Sequence, residues 1–113
     1  MKTRFLFPAI LLFTACNFSG QMKSMFSLSE KINKKYNCSA RIEVDNNSKI
    51  EVYIEDSPYC DSSDAVQQRI CDDIGQMALA QKELGKQLEE GYMILTCGNE
   101  KKEARFTMHL HKN

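Results

Sequence analysis

The chain has no tryptophan, two prolines and five glycines among 113 residues. That scarcity excludes collagen-like and Pro/Gly-rich low-complexity chains. Neither charge is in excess: 15 basic residues face 15 acidic ones, for a formal net charge of zero. A dedicated nucleic-acid binder carries a basic surplus, so no nucleic acid is expected as a partner. The apolar run FLFPAILLF, residues 5–13, falls short of the roughly 20 residues that cross a bilayer as a helix. No C-x-x-C, Gly-x-Ser-x-Gly, phosphate-cradling glycine loop or His-Glu-x-x-His occurs. No cofactor is therefore implied, and the length excludes a doubly wound nucleotide-binding fold with a substrate domain. The 42% hydrophobic and 27% charged content instead suits one folded domain.

The N-terminal stretch reads as an address. Lys2 and Arg4 precede the apolar run, and small residues follow it, the order of an export signal. Phe13-Thr14-Ala15-Cys16 then resembles the lipobox of bacterial lipoproteins, with phenylalanine where leucine is commoner. The resemblance implies that the chain is cut before Cys16, that Cys16 carries a diacylglycerol on sulfur, and that the new N-terminus is acylated. The expected divisions are a removed signal at 1–15, a lipidated cysteine and short tether at 16–21, and a single domain at 22–113. Two or three acyl chains anchor stably. Without Lys2 and Arg4 the mature chain has 13 basic and 15 acidic residues, a formal charge of −2. Overall charge thus gives no pull toward an anionic surface. Asn17 follows the cysteine without an acidic cluster, which by resemblance to lipoprotein sorting points to the outer membrane, facing the periplasm.

Lipidation of Cys16 accounts for one of five cysteines and leaves Cys38, Cys60, Cys71 and Cys97 for disulfides in an oxidising compartment. Cys38 opens a strand whose hairpin partner returns toward Cys60. Cys71 and Cys97 reach similar heights on a helix and the strand returning beneath it. Cys38–Cys60 with Cys71–Cys97 is the expected pairing, with Cys60–Cys71 and Cys38–Cys97 as the next.

Met22, Met25, Phe26, Ser29, Ile32 and Tyr36 recur at three and four residues, one face of a helix ending near Asn37. A Met/Phe stripe of this kind is expected to face the core. Ala40, Ile42 and Val44, then Ile50, Val52 and Ile54, alternate with polar residues, as in a hairpin with one wet face. Parity demands a three-residue turn or a bulge at Asn46-Asn47-Ser48 to oppose the apolar sets. Asp61-Ser62-Ser63-Asp64 is rich in helix N-caps, and a second helical stripe runs from Val66 to Leu84 with Gly85 as its stop. Gly75 within it suits close packing. Tyr92–Cys97 and Ala104–Leu110 form a second hairpin. A turn at Glu100-Lys101 would pair Cys97 with Ala104, Leu95 with Phe106 and Met93 with Met108.

The expected fold is α+β: two α-β-β units, with both helices on one face of a four-stranded, mainly antiparallel sheet. From Ile32 to Met77 the chain also resembles short exported bacterial proteins of unassigned function. The resemblance rests on the alternating strands, Asn46-Asn47 and Asp56-Ser57-Pro58, and it implies fold only.

Two constellations invite chemistry. His109-x-His111 is the one histidine pair, and on a strand both rings share a face, as a divalent metal requires. No third ligand is identifiable, although Glu43, Glu51 and Glu55 share that outer face by parity. Asp72-Asp73 and Glu89-Glu90 are adjacent, diverge by about 100° on a helix and read as solvated charge. The second constellation is the sheet face away from the helices, where parity gathers Arg41, Tyr53, Tyr92 and Ile94 with Thr96, Glu43, Glu51 and Arg105. Such a face suits a contact surface. The expected function is a non-enzymatic, lipid-anchored envelope protein that binds an envelope protein partner through this face or through an exposed strand edge. The alternative is a small metal-binding protein or enzyme built on His109 and His111.

Overall fold

The computed structural model describes residues 22–45, 48–55 and 57–111. Cys16 and the lipobox lie outside them. Among the described residues no helix is long and apolar enough to cross a membrane. A first helix, α1, covers 22–36. Then follow β1 (Ser39–Asp45), β2 (Lys49–Glu55), α2 (Asp64–Leu79), a single-turn helix α3 (Lys82–Gly85), β3 (Glu90–Cys97) and β4 (Lys102–Thr107). The fold is α+β, with a four-stranded sheet in the order β1-β2-β3-β4.

The first hairpin follows from alternation. Its three-residue connection, 46–48, opposes Asp45 to Lys49, Val44 to Ile50, Ile42 to Val52 and Ala40 to Ile54. Even residues therefore meet even residues, and Ile50, Val52 and Ile54 are buried under the helices. The outer groups of edge residue Ala40 are also covered. Its N–H donates to Asn33 Oδ1 at 2.8 Å, and its carbonyl accepts from Ser29 Oγ at 2.9 Å. These two α1 side chains cap a strand edge that would otherwise offer pairing groups. Asn37 at φ 51° then ends the helix in the left-handed region that asparagine tolerates.

Several expectations need correction. The sheet is mixed: β2 pairs with β3 in parallel, Lys49 beside Glu90 through Glu55 beside Thr96. Residues 64–85 do not form one helix. Ser63 caps α2 by accepting from the Val66 N–H, but Gln81 is extended at ψ 126° and restarts the chain as α3. The break brings Leu84 and Leu88 back into the core, both fully buried. Gly85 permits that return, because a Cβ there would stand 2.0 Å from the Leu79 carbonyl oxygen.

The second hairpin closes two residues tighter than expected, pairing Cys97 with Lys102, Leu95 with Ala104 and Met93 with Phe106. Gly98 at φ 80° and Lys101 at φ 51° shape its four-residue turn, closed by Lys101 N–H to the Gly98 carbonyl at 3.1 Å. Parity survives the shift, so Met93 and Leu95 still face the helices. Gly75 does mark close packing: a Cβ there would meet Leu110 Cδ2 at 3.0 Å.

The buried face of α1 is also rotated from the expected one. Leu28 and Ile32 are fully buried, whereas Met22 is 41% and Phe26 66% exposed. The Met/Phe stripe lies beside β1 and does not enter the core.

Cysteine pairing differs as well. Cys60 bonds to Cys97, with Cα atoms 5.9 Å apart, and Cys38 and Cys71 are free thiols. The expected Cys38–Cys60 and Cys71–Cys97 pairs do not form. Cys71 stands against the backbone of β4, its Sγ 3.6 Å from the Phe106 carbonyl. Cys38 precedes β1, three strands away or about 14 Å across the sheet. A disulfide needs Cα atoms within roughly 4.4–6.8 Å.

Candidate interaction face

The two helices share one side of the sheet, and the registers fix what stands on the other. Arg41 opposes Tyr53, Tyr53 opposes Ile94, and Ile94 opposes Arg105, one row across all four strands. The neighbouring row is Glu43, Glu51, Tyr92 and Thr107. All the expected face residues are thus brought together, including Thr96, beside Glu55.

Charge and ring interleave on this face. The Arg41 guanidinium lies 4.5 Å from the Tyr53 ring centroid, and that of Arg105 lies 4.2 Å from the Tyr92 centroid. Arg105 also reaches Glu51 at 3.7 Å, and Arg41 reaches Glu43 at 3.5 Å. The Tyr92 hydroxyl donates to Glu90 at 2.8 Å, which raises its pKa above the ordinary phenol value. An exposed cation–π contact contributes about 0.5–1 kcal/mol, and an exposed ion pair no more. Together these contacts set two guanidinium groups beside two rings on the open face. Ile94, in the middle of the row, is 4% exposed despite standing on the uncovered side. Arginine and tyrosine are among the residues enriched at binding hot spots.

The histidine pair behaves differently. β4 ends at Thr107, and His109 turns toward α2, where its Nδ1 lies 2.9 Å from Asp72 Oδ1. The His109 N–H donates to the same oxygen at 3.0 Å. Gln68 Nε2 donates to Asp72 at 2.9 Å and to the Thr107 carbonyl at 2.8 Å. Partial burial acts to raise the Asp72 pKa, but these hydrogen bonds outweigh it and leave the carboxyl below its usual range. Glu43, Glu51 and Glu55 occupy the opposite side of the sheet, so they do not join His109. Among the described residues no group of three or more His, Cys, Asp or Glu is placed to hold a metal ion. His109 serves as a fastener of the C-terminal segment.

Asp72 and Asp73 are not merely solvated charge. Asp73 accepts the Tyr36 hydroxyl and pairs with Lys35 at 2.7 Å, joining α1 to α2. The Tyr36 ring meets Tyr59 edge-on at 5.8 Å. The sequence signal was the 100° divergence of adjacent helical residues, which lets two carboxylates serve opposite flanks. Burial and the nearby Asp72 push the Cys71 thiol up to about 12, so it stays protonated and is a poor nucleophile at neutral pH. No family model, curated protein or solved structure matches this chain.

Proposed function

We propose that the protein is a lipid-anchored bacterial envelope component that binds an envelope protein through the open face of its sheet. The supporting observation is the row Arg41, Tyr53, Ile94, Arg105 with Tyr92 of the neighbouring row, whose two guanidinium–tyrosine pairs stand on the side the helices leave uncovered. The lipobox resemblance at Phe13–Cys16 supports anchoring at Cys16 and residence at the outer membrane, facing the periplasm.

Photo-crosslinkers placed singly at Tyr53, Tyr92 and, as a control, Glu30 on α1 test the face in intact envelope membranes. One discrete adduct from the two tyrosine positions, lost in Arg41→Ala with Arg105→Ala, is the expected result. Equal adducts from Glu30 would remove the face from the interaction. For the anchor, Cys16→Ser should block processing or release the protein from membranes. Unchanged size and pelleting would contradict it.

A further inference from the structure

The Met22/Phe26 side of α1 lies beside edge strand β1, and the two enclose an apolar groove. Met22, Met25, Phe26, Ala40 and Ile42 line it, with Arg41 at its rim, around a cavity of about 290 Å³. Phe26 is two-thirds exposed, an unusual state for a phenylalanine in a domain with this little aromatic content. Met22 and Phe26 stand four residues apart, one above the other on the helix surface.

Position in the chain says what meets this surface. Six residue steps separate Cys16 from Met22, at most about 20 Å of extended chain. A lipid on Cys16 therefore keeps Met22 and Phe26 close to the bilayer whatever path the tether takes. Charge agrees. The mature chain is net negative, yet α1 carries Lys23, Lys31, Lys34 and Lys35 against Glu30 alone. Lys35 is committed to Asp73, while Lys23, Lys31 and Lys34 are exposed. Apolar side chains flanked by lysines are the composition of an interfacial membrane helix.

We infer that the α1–β1 edge docks on an anionic lipid bilayer, with Met22 and Phe26 entering the interface and the α1 lysines meeting headgroups. The inference rests on the lipid-anchor reading, because two apolar side chains hold a domain at a membrane only when a tether keeps them there. It adds orientation: the sheet stands with β1 nearest the lipid and β4 farthest, and its open face remains accessible.

The absence of tryptophan makes the test clean. Phe26→Trp and, as a control on β4, Glu103→Trp each report from one position in the mature lipidated protein. Both are reconstituted into phosphatidylglycerol/phosphatidylcholine vesicles with brominated acyl chains. Emission from the Phe26→Trp variant should shift to shorter wavelength and be quenched severalfold more than that of the Glu103→Trp variant. Lys23→Gln with Lys34→Gln should reduce the difference, each lysine contributing about five-fold to partitioning. Weak and equal quenching of both variants in protein that mass spectrometry shows to be acylated would overturn the docking and leave the anchor standing. Protein lacking any acyl group on Cys16 would remove the anchor and the docking together.

Discussion

The two halves, α1-β1-β2 and α2-α3-β3-β4, differ in how the long helix of each is fastened. α1 meets its hairpin through Leu28 and Ile32, through two polar caps on Ala40, and beside a groove left open at Met22 and Phe26. α2 is held on several sides at once. Cys71, Ile74 and Ala78 are fully buried, Asp72 grips the segment after β4, and Cys60–Cys97 ties the loop before α2 to the end of β3. The first half thus keeps an apolar edge exposed at the start of α1, and the second is closed.

The largest break in this contrast is covalent. Replacing Cys60 and Cys97 by serine reopens a connection of 37 residues and should cost about 4 kcal/mol in urea unfolding. The same change at half-exposed Cys38 should cost under about 1 kcal/mol.

Next comes the rotated face of α1. Leu28→Ala should cost about 3 kcal/mol, and Phe26→Ala less than about 0.5 kcal/mol. Equal costs would return the Met/Phe stripe to the core. Smaller still are the caps on Ala40. Ser29→Ala or Asn33→Ala should each lower stability by about 1 kcal/mol and speed hydrogen exchange in β1 while leaving β4 unchanged.

Asp73 joins the halves, and its effect depends on pH. Partial burial acts to raise its pKa, but hydrogen bonds from Lys35 and Tyr36 prevail and hold it below 3.8. Its contribution is therefore complete above that ordinary value and disappears as pH falls through the lower native one. Asp73→Asn should cost up to about 1 kcal/mol at pH 7, with the difference from wild type shrinking as pH falls through the lowered native value. A gap that stays constant down to pH 2 would remove the charge from the explanation.

The sequence made the first hairpin readable because two constraints acted on it together. Alternation chose the faces, and parity excluded a two-residue turn. The second hairpin had the first constraint alone. Sliding Leu95 from Phe106 to Ala104 leaves every side chain on the same face, so patterning could not tell these registers apart. Parallel and antiparallel pairing of β2 with β3 are degenerate in the same way. The helix break was hidden because the three- and four-residue spacing of Ile74, Met77, Gln81 and Leu84 continues across it, although Gln81 is polar. In α1 the stripe was real, but its neighbour is an edge strand, which covers less than a core does. The open face was legible because it needs parity only, whereas the two arginine–tyrosine stacks depend on which edge residue falls beside which ring.

Each β2 residue meets its β3 partner 41 positions later in the chain, whereas both hairpins close across a few residues. The hairpins can therefore form within microseconds as local events, and the seam between them must wait for the whole crossover. A late seam is also the place where two chains could exchange partners, with β3–β4 of one molecule completing β1–β2 of another. Cys60 leaves the first hairpin and Cys97 ends β3, so their bond encloses the crossover and commits the second hairpin to the first of its own chain. In a strand-exchanged pair the same two cysteines would meet across molecules, so their bond locks whichever pairing of the hairpins has formed.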